Sequence, residues 1–267
     1  MKKMRSFKLL ALIMALFATS CMSDKKLAES MKKVMKENPE ILHEAIKADP
    51  AEFLMVVQQA AQDAKSVMEE KKKAAEAKAF EDSFSNPLKP VIRKDEAIRG
   101  TKGAPLVLVE YSDFECPFCT RGFNVVTQML EKYKGKIQFI YKHLPLSFHK
   151  QAQVASEYYE AIRLQSEEKA FKFHDVIFKE QDKLRNGESF LKAKAKSLGV
   201  DMKRLSSDIK LPSIKKRIKD DMDEAQKFGI QGTPGFVLNG IPVKGAYPMS
   251  HFENIVSKLV EKKLVSL

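Results

Sequence analysis

Cysteine is scarce in this chain, with three in 267 residues. So few thiols exclude a disulfide-rich scaffold. Glycine and proline are also few, at 11 each. With 31% charged residues, that argues against a disordered or fibrous chain. A second Cys-x-x-Cys pair is missing, as is any aromatic-interleaved basic patch or nucleic-acid motif, so the formal charge of +12 reads as solvated surface and no nucleic-acid partner is expected. What is present is 44% hydrophobic residues, enough for one sizeable core, in a length that allows one or two domains.

The first 20 residues read as an address. "MKKMRSFK" is basic, "LLALIMALFA" is an apolar run too short to span a bilayer, and small residues follow. Residues 1–20 are therefore expected to be a signal peptide, and the protein to be exported to the periplasm or cell envelope. Cys21 follows "FATS", which resembles a bacterial lipobox with Ala18 where Leu is usual. Ala18 and Ser20 also suit ordinary cleavage. Lipidation of Cys21 is the reading favoured: a spare exported thiol forms wrong disulfides, and acylation removes it while anchoring the chain to a membrane.

Residues 24–85 contain no Gly and read as helix. Asn38 and Asp49 are expected N-caps, each followed by a proline at the first helical position. Leu27, Met31, Val34 and Met35 form one apolar stripe; Phe53, Leu54, Val57, Ala60, Ala61, Ala64 and Met68 form a longer one. Short amphipathic helices are marginal alone, so residues 21–68 are read as a helical oligomerisation arm. Packing on its own domain and binding a foreign partner are the alternatives. "MEEKKKAAEAKAFEDSF" has little to bury, and 69–95 reads as a helical spacer and linker.

The remaining stretch, 96–267, reads as an α/β domain. "PLVLVEYS" is a buried strand, "CPFCTRGFNVVTQMLEKYKG" turns helical, "KIQFIYKHLPL" is a second strand, and a hairpin about Asn239-Gly240 precedes a closing helix. Cys116 and Cys119 thus lie at a strand-to-helix junction. Zinc needs four ligands and lacks them here; His143 and His149 lie far past finger spacing. A structural bridge this short constrains little. A redox pair fits best. Cys116, at the helix start, is expected to be exposed, of lowered pKa and nucleophilic, with Pro117 in the first helical position. Cys119, one turn in, is expected to be shielded and to resolve mixed disulfides. No metal or organic cofactor is expected.

The marks "VEYSDFECPFC", "IYKHLPLSFHKQAQVA", "FKFHDVIFKEQ", "FGIQGTPGFVLNG" and "VKGAYP" resemble a DsbA-like thiol:disulfide oxidoreductase. The resemblance implies a thioredoxin fold with an inserted helical subdomain at about 149–228. It implies that Pro234 is the cis-proline opposite a redox-active Cys116–Cys119 disulfide, that the Thr233 backbone pairs with substrate beside Pro117 and Phe118, and that Glu110 is a buried carboxylate relaying the proton of Cys119. Lys142 is its expected ion-pair partner; His143, His149 and His174 read as structural or surface. The dipeptide Pro-Phe departs from the Pro-His of strongly oxidising members, so a potential of roughly −120 to −270 mV is expected. The arm and Thr233 look more like the oligomeric disulfide-shuffling relatives of the copper-sensitivity-suppressor type, which implies a homo-oligomer, a trimer ahead of a dimer. The function implied is a disulfide oxidoreductase or isomerase acting on exported proteins with cysteines and recharged by a membrane redox partner. A monomeric disulfide-donating oxidase is the alternative within that class, and a chaperone or copper-binding module the alternative outside it.

Overall fold

The computed structural model describes residues 24–267. Cys21 and the expected signal peptide at 1–20 lie outside the described residues. The chain divides into two compact units, the first ending at Lys73 and the second spanning Ala74–Leu267. Among the described residues no helix is long and apolar enough to cross a membrane.

The first unit is helical throughout: α1 (Asp24–Glu37), α2 (Pro39–Ala48) and the start of α3 (Pro50–Ser85). Asp49 caps as expected, its carboxylate accepting the Glu52 amide at 2.9 Å. Asn38 does not. Its side-chain amide reaches back to the Val34 carbonyl at 2.9 Å, so it closes the end of α1 and leaves the start of α2 without a side-chain cap. The apolar stripe residues Leu27, Met31, Val34, Met35, Phe53, Leu54 and Val57 are all exposed.

The second unit is built on a five-stranded sheet in the order β1-β3-β2-β4-β5. Its strands are β1 (Arg99–Gly100), β2 (Leu106–Ser112), β3 (Ile137–His143), β4 (Gly235–Leu238) and β5 (Ile241–Lys244). β2 and β3 run parallel, joined by the crossover helix α4 (Pro117–Lys132), as a parallel pair requires. β4 is antiparallel to β2 and to β5. Between β3 and β4 lie α5 (Ala152–Arg163), α6 (Glu167–Lys179), a 3₁₀ turn (Gln181–Asn186), α7 (Glu188–Ser197), α8 (Met202–Asp208) and α9 (Pro212–Lys227); α10 (Met249–Glu261) closes the chain.

Strand side chains alternate between faces, and β2 is buried on both. Leu106 and Leu108 join the larger core, with Phe123, Met129 and Phe252. Val109 and Tyr111 join a smaller core with Ile140, Ala225 and Val237.

The expected spacer at 69–95 is divided. The end of α3 belongs to the second unit: Phe84 is 5% exposed in its larger core and Phe80 packs beside it. "AFEDSF" carries two aromatics one helical turn apart, and they have something to bury after all. The chain beyond is latched to the sheet. Leu88 donates its amide to the Gly240 carbonyl at 2.9 Å. Val91 donates its amide to Glu224 at 2.7 Å and accepts from Lys142 at 2.8 Å. Arg93 pairs with Asp221 and Asp95 with Arg217. The hairpin residue Gly240 has φ +88°, and a Cβ there would sit 2.3 Å from the Pro87 Cβ. Only glycine admits both that turn and that neighbour.

Candidate redox site

β2 ends at Ser112, and Asp113, Phe114 and Glu115 carry the chain to Cys116, the N-cap of α4. Cys116 has extended backbone (φ −73°, ψ 121°) with Pro117 following it into the helix. Its carbonyl accepts the Cys119 amide at 3.0 Å, and its thiol donates to the Thr233 carbonyl at 3.4 Å. The Thr233–Pro234 peptide bond is cis. The cysteines are free thiols.

Cys116 is not exposed: 4% of its surface meets solvent, and none of that of Cys119. The Thr233 carbonyl lies against its sulfur, and Phe118 in the same turn is 51% exposed. Burial does not prevent ionisation. The Cys116 pKa is lowered to about 5 by the Cys119 thiol first, against the cost of burial, then by Thr233 and the amides of Cys119 and Phe118. Those amides lie in the first turn of the helix, where the N-terminus favours negative charge. Cys119 goes the other way. Burial, its hydrogen bond to Cys116 and the neighbouring charge of Glu110 push it far above an ordinary thiol.

Glu110 is fully buried. It accepts one hydrogen bond, from the Ser112 hydroxyl at 2.8 Å, and its other oxygen has no partner among the described residues. Burial raises its pKa to about 8 in spite of that bond. Lys142 is not its partner. In the β2–β3 register Glu110 faces Tyr141, and Lys142 faces Tyr111. Alternation therefore sends Lys142 to the opposite face, where it binds Glu224 and lies 3.8 Å from Asp221.

Several neighbours escaped the sequence reading. Gln181, in the inserted 3₁₀ turn, donates to the carbonyls of Phe114 at 2.9 Å and Cys116 at 2.8 Å and accepts from Thr120 at 2.9 Å. Asp113 directs its amide at the Cys119 sulfur, 3.5 Å away, while its carboxylate receives His149 at 2.8 Å and the Leu146 amide at 2.8 Å. A Cβ on Gly122 would meet Phe236 at 3.1 Å, Glu110 at 3.2 Å and Pro234 at 3.2 Å. That glycine lets α4 close onto acid and proline together. No periodicity marks Gln181; the glycine, within "CPFCTRG", was the one legible signal. His143 pairs with Glu160 at 3.0 Å. His174 sits buried among aromatic rings, its pKa lowered to about 4 by desolvation. Among the described residues no cluster of three or more His, Cys, Asp or Glu is placed to hold a metal.

Comparison with known proteins agrees with this geometry. The thioredoxin family model matches residues 92–258. A Na(+)/H(+) antiporter NhaA 1 of Mycolicibacterium vanbaalenii is 33% identical over 163 residues, covering 60% of this chain and 26% of that protein; the chain spans about a quarter of the length of the curated relatives it matches. Among solved structures, Proteus mirabilis ScsC in a transitional conformation is similar over 92% of this chain and 98% of that one, with TM-score 0.54 and 24% identity. The thiol-disulfide exchange protein alpha-DsbA2 of Wolbachia pipientis covers 73% and 98%, with TM-score 0.55 and 18% identity. At these identities the likeness is one of fold, and it spans both kinds of relative that the motifs suggest.

Proposed function

The chain belongs to the thioredoxin family, and from that premise we propose that it is a protein thiol:disulfide oxidoreductase working through Cys116 and Cys119. The observation that carries this reading is the opposed state of two thiols one turn apart. Cys116 is held at a helix N-terminus with its pKa lowered to about 5, and Cys119 is held neutral above a buried carboxylate.

In the reducing direction, the Cys116 thiolate attacks one sulfur of a substrate disulfide. A Cys116–substrate disulfide forms, the substrate S–S bond breaks, and the departing substrate thiolate takes a proton from solvent. Cys119 then loses its proton to ionised Glu110 and attacks the Cys116 sulfur. That step releases the second substrate thiolate and leaves a Cys116–Cys119 disulfide. Two electrons pass to the substrate. Oxidation of a substrate dithiol is the same sequence reversed, with Glu110 returning the proton to Cys119 as it leaves. Thr233, beside the Cys116 sulfur, offers backbone to an extended substrate.

The finer reading is an exported, lipid-anchored, oligomeric enzyme that isomerises disulfides. Support comes from the exposed apolar stripes of the helical arm and from likeness to ScsC over nearly the whole chain. Its substrates are exported proteins with cysteines, and a membrane partner resets its redox state. The test pairs insulin reduction with reactivation of scrambled ribonuclease, for the parent chain and Cys116→Ser. Activity in both, lost in the variant, is expected. Activity in neither sinks the oxidoreductase reading, and insulin reduction without reactivation replaces isomerase by a simple redox donor.

A further inference from the structure

Five of the second unit's seven arginines are committed. Arg93, Arg99, Arg163, Arg204 and Arg217 each hold a carboxylate. Arg121 holds none among the described residues. It stands two residues beyond Cys119, exposed, with its guanidinium 4.4 Å above the centroid of the Phe118 ring. Phe118 is itself 51% exposed, whereas Cys116, two residues before it, is 4% exposed.

A polypeptide approaching Cys116 therefore has this pair beside its path. The ring offers apolar surface and fixes the guanidinium from one side. The edge of the guanidinium keeps its N–H donors, in the forked geometry that fits a carboxylate. We infer that Arg121, seated on Phe118, selects substrates in which an acidic side chain lies within one or two residues of the disulfide cysteine. This deepens the oxidoreductase reading and rests on it.

The test follows the first exchange step, in which the Cys116 thiolate forms the mixed disulfide and the peptide's other thiolate leaves. Three disulfide peptides that differ only in Glu, Gln or Lys beside the cysteine are mixed with the reduced full chain. Rates are divided by those for 2-mercaptoethanol, which removes each peptide's intrinsic reactivity. An exposed ion pair predicts a corrected Glu-over-Gln preference of about three- to fivefold at low salt, fading as salt screens it. Arg121→Gln should erase the preference, and Arg121→Glu should turn it toward the Lys peptide. An unaltered preference in Arg121→Gln, or none in the parent, overturns the assignment. Exchange with no peptide at all overturns the oxidoreductase reading beneath it.

Discussion

Cys116 and Cys119 are the same residue made into different acids by three positions of chain. An absorbance titration of the reduced protein at 240 nm should show one thiol ionising near pH 5 and the other silent through pH 9. Of the two, iodoacetamide should label Cys116 and leave Cys119. A first ionisation near the ordinary ~8.5 would mean that the helix start does not stabilise the thiolate. Glu110 has the opposite sign. Its folded pKa of about 8 exceeds its unfolded value, so between these the folded state holds the extra proton and stability falls as pH rises. Glu110→Gln removes that loss. It should raise stability by about 3 kcal/mol at pH 7 relative to pH 4.5, read from urea unfolding at both pH values, while slowing the step that releases Cys119. A Gln variant with the parent's pH slope would put Glu110 outside that account. The place of both cysteines at a strand-to-helix junction was legible because spacing and periodicity encode it, whereas the burial of Glu110 was implied by the family resemblance alone. The burial of Cys116 was not legible, because the covering segment lies more than a hundred residues further along the chain.

Among elements, α4 owes its position to contacts that no local pattern announces. Gln181 ties the inserted helices to the turn before α4 through two carbonyls. Gln181→Leu should cost about 1–2 kcal/mol and slow mixed-disulfide formation, with Gln181→Glu failing to restore it because a carboxylate cannot donate to those carbonyls. Stopped-flow exchange with a model disulfide peptide reads both. The strands β2 and β3 and the starts of α2, α3 and α4 were readable from periodicity and from prolines. Nothing in the local sequence says which face Lys142 takes; only the register with β2 decides it. At the end of α3, Phe84→Ala should cost about 3–5 kcal/mol by opening the core, measured by chemical denaturation. A cost below 1 kcal/mol would return Phe84 to the spacer.

For the whole molecule, the boundary at Lys73 sets where the arm can be cut. Removing residues through 73 leaves Phe80 and Phe84 in their core and should give a folded monomer that keeps dithiol exchange and loses most disulfide reshuffling. Removal through 85 should give a destabilised one. Light scattering beside the two activity assays checks this, and a monomeric full-length chain would reduce the arm to a tether. The arm's helicity was plain in its sequence. Its exposed apolar stripes were plain too, but a stripe by itself names no partner.

The latch around Val91 also acts as a mechanical joint. Tension on the chain from its N-terminal side meets the packed rings of Phe80 and Phe84 first and then residues 87–96, where Lys142 and Glu224 grip both polar atoms of Val91 and buried ion pairs lie just beyond. The load passes into β3 and α9, while β2 and α4, which carry Glu110 and the cysteines, are loaded only through their neighbours. A domain drawn taut in an optical trap should therefore go on reacting with disulfide peptides until the joint itself gives way, and Lys142→Met should lower the force at which it does.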